Sequence, residues 1–345
     1  MYKNPDRLIY LGDSVYKSSA KDSPERVKAL MLKINGYTAK RDYEKSLKLL
    51  LKAQEIVQKT NDIDLQALVI NRHAIIYQQL KIYDKALENV DRGNEFIKNH
   101  PVKNAEFLQA TNFLVKGIIY KEQLSCELAI NYFNKAVAKY GETTSIKKAY
   151  PNLSIAEYNK GQCYASSQNY EMAEQCYKKA IANASAVNAN SLEAFALKGL
   201  SDLYLHQEKY ELAIANLQKA LELCKDVGDL LLEGTIYHGL AENYLLTGNT
   251  KKFTYYRELS LNSQNTIKEA ERKAISDSVN GLAKSHKESI SMLNNQFFKF
   301  ISLLTGVILL TVFFAARYYI RSKKAMAGQK NKLDLILSTQ QQREA

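Results

Sequence analysis

The chain has 345 residues, 46% hydrophobic and 24% charged, with 4 prolines, 14 glycines and no tryptophan. That composition excludes a disordered, collagen-like or disulfide-dense chain and fits a mostly helical protein with short loops. The net charge of +12 is uneven: Arg317 to Ala345 holds seven Lys or Arg against two acids, and the remainder is dispersed. No nucleic-acid-binding signature accompanies it, so direct binding of DNA or RNA by this chain is not expected.

Residues 1–26 hold one predicted helix, over 5–18, ahead of any complete repeat. It reads as the second helix of a hairpin whose first helix is missing. Asp6, Arg7, Asp13, Lys17, Lys21 and Asp22 interrupt every apolar run in the first thirty residues, so no leader is visible.

From 27 to 262 the chain repeats. Tyr37, Tyr77, Tyr120, Tyr164, Tyr204 and Tyr244 recur at gaps of 40, 43, 44, 40 and 40 residues. Nine residues after each stands Ser46, Ala86, Ala129, Ala173, Ala213 or Phe253. Sixteen after stands Ala53, Gly93, Ala136, Ala180, Ala220 or Ser260. Large against small at a fixed period predicts stacked helical hairpins, an elongated superhelix with each repeat packed on its neighbours. In the fourth unit Gly161, Ala173 and Ala180 let helix backbones approach, while Tyr164 and Tyr177 fill the space between them.

This pattern resembles the tetratricopeptide repeat. The third unit carries it on Gly117, Tyr120, Ala129, Phe133 and Ala136, and the fifth on Leu200, Tyr204, Tyr210, Ala213, Leu217 and Ala220. The chain departs from the family in a period above 34, in lacking the frequent tryptophan and closing proline, and in Phe253, Arg257 and Ser260 of the sixth unit. An altered last unit is expected of a cap. The fold class is therefore all-α: six repeats over 27–262, a helical stalk over 263–296, a membrane helix over 297–320 and a basic tail over 321–345.

The resemblance implies a non-enzymatic module that holds a protein or peptide on its concave face. First-helix positions near each column tyrosine line that face in the family. Carried over, they give Asn35, Asn71, Gln78, Gln79, Lys121, Glu122, Tyr158, Gln162, Lys198, Asp202, His206 and His238. The lysine and asparagine clamp of one subtype is absent, because Met31 and Arg72 occupy its positions. His206 and His238, near Asp202 and Glu242, offer the one conceivable acid–base pair; a polar groove lining is the preferred reading.

No cofactor is expected and no metal motif appears among the five histidines and four cysteines. Cys163 and Cys176 lie on the two helices of one repeat and are the pair placed to bridge, although small packing residues are the favoured account of all four cysteines.

Ile275, Val279, Leu282, Ile290 and Leu293 make a stripe at three- to four-residue steps, broken by His286 and Ser289. A stalk leaning on the last repeat and a homodimer seam both fit it. Phe300 to Ala316 is seventeen residues without a charge, flanked by Phe297, Phe298, Tyr318 and Tyr319; with its flanks it reaches the roughly 20 residues that cross a bilayer. Lys287 and Lys299 lie upstream, against Arg317, Arg321, Lys323, Lys324, Lys330 and Lys332 downstream. Two against six places the tail in the cytoplasm and the repeats outside, in the periplasm of a bacterial inner-membrane protein. Exporting the repeats needs a leader, so a chain incomplete at its N-terminus is favoured over a cytosolic array that crosses against its charge bias. The order of parts resembles the sensor half of membrane-anchored tetratricopeptide regulators and histidine kinases of Bacteroidetes-type bacteria, which implies signal relay. A membrane-tethered scaffold without switching is the alternative.

Overall fold

The computed structural model describes residues 5–225 and 229–344, with side chains for all of these except 270–271, 273–289, 291–292 and 333–344. Regular structure among the described residues is helical throughout. In chain order the helices are α1 (Pro5–Ser18), α2 (Pro24–Ala39), α3 (Tyr43–Val57), α4 (Ile63–Gln79), α5 (Tyr83–Asn99), α6 (Ala105–Gln123) and α7 (Cys126–Gly141). They continue as α8 (Ile146–Ser166), α9 (Tyr170–Ser185), α10 (Asn190–His206), α11 (Tyr210–Cys224), α12 (Leu230–Leu246) and α13 (Thr250–Glu344). The chain divides into two compact units, Met1–Lys268 and Glu269–Ala345.

In the first unit each even-numbered helix from α2 to α10 pairs with the helix that follows it, and each hairpin packs on the next; the start of α13 meets α12 where the Ser260 hydroxyl donates to the Gly234 carbonyl. One turn design recurs. A column tyrosine ends each first helix, and the residue four positions later takes the left-handed conformation: Arg41, Lys81, Gln168, Glu208 and Gly248, with φ between 57° and 73°. That twist brings the next N–H back to the tyrosine carbonyl, at 2.9 Å for Asp42, Ile82, Asn169, Lys209 and Asn249. Asp42, Asn169 and Asn249 then accept a backbone N–H of the second helix, each as an N-cap. The third turn is the exception. Leu124 and Ser125 connect α6 to α7 without a left-handed residue, and the Ser125 hydroxyl caps α7 at Leu128.

Packing follows the small positions. Ser46, Ala86, Ala129, Ala173 and Ala213 are fully buried, as are Ala53, Ala136, Ala180 and Ala220. Two deeply buried rings stand against glycine. Phe133 covers Gly117 so closely that a Cβ there would lie 2.5 Å from the ring, and Tyr177 covers both Gly161 and Gly199 at 2.7 Å. Burying such a ring removes roughly 150–250 Å² from water, about 4–6 kcal/mol gross. The column tyrosines have a different place from the one the periodicity predicts. In the first four units they are only half-buried, and at four of the six a lysine ammonium caps the ring: Lys45 on Tyr37, Lys85 on Tyr77, Lys209 on Tyr204 and Lys252 on Tyr244.

Helix α1 packs on α2 through two glycines, with Gly12 against Ala29 and Lys33, and Gly36 against Ile9. The array coils far enough that Arg41, in the first turn, forms an ion pair with Asp229, which begins the sixth hairpin. An elongated superhelix therefore joins its first and last units.

In the second unit α13 continues as one helix, and its Leu293–Lys332 segment is long and apolar enough to cross a membrane. Phe300, Leu303, Leu309, Phe314 and Tyr318 are all exposed on it. Of the predicted stalk stripe, Ile290 and Leu293 are exposed; the side chains of Ile275, Val279, Leu282, His286 and Ser289 lie outside the described residues.

Candidate functional site: a polar strip along the first helices

The first helices α6, α8, α10 and α12 carry a strip of polar side chains, hydrogen-bonded to one another between α6 and α8 and paired within α10. Lys121, near the end of α6, donates to Asn159 Oδ1 at 2.6 Å and to Gln162 Oε1 at 2.7 Å, both on α8. Gln162 in turn donates to the Tyr158 hydroxyl at 2.9 Å. Partial burial holds the Lys121 pKa below its ordinary value. Its two hydrogen-bond partners are neutral amides, which solvate the ammonium without cancelling its charge, and the neighbouring Glu122 carboxylate opposes the fall.

On α10, Lys198 and Asp202 pair one turn apart at 2.7 Å. Burial raises the Asp202 carboxyl above the usual range, Lys198 and His206 oppose that rise, and Glu242 on α12 adds to it. Burial also lifts the Tyr158 phenol to about 12, with Asp202 adding its charge. His238 Nδ1 lies 4.0 Å from Glu242 Oε2, both exposed. The strip is cationic at α6 and mixed in sign at α10 and α12, and amides occupy its centre.

The structure thus brings together Lys121, Tyr158, Gln162, Lys198, Asp202 and, through its field on Asp202, His206. Glu122 is exposed and accepts from the Tyr83 hydroxyl across the α5–α6 pair; burial and that carboxylate raise Tyr83 to about 12. The other expected residues stand apart. Asn71 is buried, donating to Asn112 Oδ1 at 2.8 Å, and Asn112 passes the bond on to Asn94. It ties α4 to α6. Gln79 is half-buried with its carbonyl oxygen enclosed and unbonded; Asn35 and Gln78 are half-buried. Asn159 was missed, because it lies five residues before the column tyrosine, one step off the positions carried over. An asparagine adjacent to Tyr158 and three residues before Gln162 was the available signal.

The cysteines correct an expectation. Cys126 and Cys163 form the disulfide, with Cα atoms 5.1 Å apart, while Cys176 is a buried free thiol. Small packing residues are the favoured account of all four from sequence, and the one bridge considered there is Cys163 with Cys176, within a hairpin. Instead the start of α7 lies beside the end of α8, so the bond joins successive repeats. Burial raises the Cys176 thiol to about 11, with Glu157 adding to the rise, which leaves it inert.

Comparison with known proteins supports the repeat reading. A family model described as Tetratricopeptide repeat matches residues 152–226 and 192–252. No curated protein matches the chain. Among solved structures, a Rap protein complexed with competence and sporulation factor is 12% identical, with TM-score 0.55, covering 75% of this chain and 80% of its own. A signal transduction ATPase with numerous domains and a tetratricopeptide repeat sensor, from Pyrococcus horikoshii, is 15% identical with TM-score 0.50. That match covers 78% of this chain and 45% of the ATPase, so the chain spans under half of it. PilW, a type IV pilus biogenesis factor, is 19% identical with TM-score 0.47, covering 71% of this chain and 99% of its own. The matched stretch carries tetratricopeptide repeats, and the array of hairpins shares the fold of the Rap protein and of the ATPase's repeat sensor.

Proposed function

We propose that the chain is a membrane-anchored, non-enzymatic module that binds a protein or peptide along its first-helix strip and relays that binding toward the membrane. Tetratricopeptide repeats imply protein–protein interaction; the polar strip gives the partner a place. The single observation that carries the reading is the linkage from Lys121 through Asn159 and Gln162 to Tyr158, followed by the Lys198–Asp202 pair. The α8 amides Asn159 and Gln162 can bond the backbone of an extended chain, and the Lys121 ammonium beside them favours an acidic group at that end. A Rap protein of the same fold is solved with competence and sporulation factor, and the archaeal ATPase uses its repeats as a sensor. Both support a ligand-binding role. For relay, the ligand must bind two curvatures of the array with different affinity.

The repeats are assigned to the periplasm and the tail to the cytoplasm of a bacterial inner membrane. Two independent features support this: the basic excess after Ala316, and the Cys126–Cys163 bond, which persists in oxidising compartments. Residues 263–296 serve as the stalk and the segment around 297–320 as the span. Helix α1 covers α2 as the second helix of a preceding hairpin would.

A photo-crosslinking residue at Gln162, against one at the exposed second-helix residue Asn134, tests the binding face. One partner of fixed mass captured at 162 and not at 134 is the expected result; equal labelling at both would refute it. Protease treatment of intact cells tests the placement. Digestion of the repeats only after lysis would place them in the cytoplasm. A tethered scaffold is the second reading, favoured by the disulfide and the Arg41–Asp229 pair, which both stiffen the array. A ligand that leaves the array's dimensions unchanged would select it.

A further inference from the structure

The turns that follow the column tyrosines lie along one edge of the array, and the links between hairpins lie along the other. On that second edge the links 58–62, 100–104 and 142–145 surround a cavity of about 430 Å³, within the usual size of small-molecule sites. Its floor is apolar: Leu65 and Leu68 from α4, Val102 from the second link, and Phe107 and Leu108 from α6.

Four charged residues line it, and they are not equivalent. Asp62 accepts the Leu65 N–H at 3.0 Å as the cap of α4. Asp64 accepts the Lys103 N–H at 2.8 Å and faces the Lys103 ammonium at 3.6 Å. Both carboxylates are committed. Lys28 from α2 and Lys148 from α8 line the same cavity, and neither has an ion-pair or hydrogen-bond partner among the described residues. Asn104 and Ser145, which begin α6 and α8 at the rim, make no side-chain cap bond. The first-turn N–H groups of both helices therefore lack that partner. Apolar floor, two lysine ammoniums with no carboxylate in contact and spare donors define one kind of ligand.

We propose that this cavity binds a small amphiphilic anion, an aliphatic or aromatic body carrying one carboxylate. The apolar body would lie on Leu68 and Phe107, and the carboxylate would face Lys28 and Lys148. Two sources share that chemistry: a free carboxylic acid and the C-terminal residue of a peptide. The site lies on the edge away from the turns and does not depend on the strip proposed above.

The test is calorimetric titration of the full chain in lipid nanodiscs, with empty nanodiscs as the blank. The probes are 4-phenylbutyrate, its uncharged amide, and Gly-Gly-Gly-Phe with a free or amidated C-terminus. The carboxylates are expected to bind at least about tenfold tighter than their amides, and Lys28→Ala/Lys148→Ala should remove that preference, each lost charge-assisted contact being worth about that factor. Both lysines are exposed, so an unchanged melting temperature confirms that this variant folds. Lys121→Ala should leave the titration unchanged, which separates this site from the strip. Tighter binding of the tetrapeptide than of 4-phenylbutyrate assigns the source as a peptide terminus, and the reverse a free acid. Equal binding of acids and amides, affinity unaltered in the double variant, or no heat beyond the blank would overturn the proposal.

Discussion

Arg41 Nη2 lies 3.0 Å from Asp229 Oδ2 across 188 residues of sequence, joining the first turn of the array to the start of its last hairpin. The two residues are doubly employed. Arg41 is the left-handed residue of its turn, and the other Asp229 oxygen caps α12 at Leu232 at 3.1 Å. Arg41 is two-fifths exposed, so the pair is worth about 0–1 kcal/mol. Its effect is on geometry. Arg41→Ala should leave the melting temperature nearly unchanged yet broaden the distance between spin labels on Lys40 and Leu230. Asp229→Ala should broaden the distance and also lower the melting temperature, since it removes a cap worth about 1 kcal/mol as well. Identical, narrow distance distributions in all three proteins would count against the contact.

The ring-on-glycine contacts give a sharper stability forecast. Gly117→Ala drives a Cβ to 2.5 Å from the Phe133 ring, and Gly199→Ala places one between Tyr177 and Tyr158 at 2.7 and 3.0 Å. Each should cost about 1–3 kcal/mol or more by overpacking. Gly141→Ala, with nothing within 4 Å, is the control and should be neutral or mildly stabilising. Chemical denaturation of the three variants ranks them.

Backbone strain at the turns predicts gains. Lys81 and Gln168 hold φ of 60° with a side chain present, at a cost of roughly 1–2 kcal/mol relative to the right-handed region. Gly248 fills the equivalent place in the last turn without that cost. Gln168→Gly should therefore stabilise the array by up to about 1 kcal/mol. Loss of stability on this change would show that the glutamine side chain outweighs the strain.

His73 predicts a pH dependence. It is buried on α4, its Nδ1 3.0 Å from the Val69 carbonyl. Burial lowers its pKa below the ordinary 6.5, the carbonyl opposes that and Arg92 adds to it. The unfolded chain thus takes up this proton at a higher pH than the folded one. Stability from the neutral ring is fully present above about pH 6.5 and is lost as pH falls through that value toward the folded pKa. Melting curves between pH 7.5 and 5 should show a steeper decline for the native chain than for His73→Gln. Parallel declines would refute the assignment.

The period made the hairpins legible, because one tyrosine and two tiny residues per unit leave few alternatives to antiparallel helices. What filled the gaps was less so. Phe133 and Tyr177 face glycines, whereas Tyr37 and Tyr77 of the column sit half out under lysines, and spacing alone cannot tell a covered ring from a capped one. The disulfide escaped because its register is set between repeats: Cys126 follows one column tyrosine by six residues, and Cys163 precedes the next by one. Among the positions carried over, Lys121, Gln162, Lys198 and Asp202 fall on the polar strip. Asn71 was drawn inward because Asn112, on the next first helix, offers it a carbonyl at 2.8 Å. The Arg41–Asp229 contact depends on superhelical pitch, a sum of small rotations that no single unit encodes.

The covalent tie between α7 and α8 sits where the turn design also breaks, directly after Leu124 and Ser125. A coil riveted at its midpoint cannot unwind evenly: strain entering at either end must be taken up within that half. The Cys126–Cys163 bond would then make the array two short springs in series, each able to yield while the other keeps its pitch.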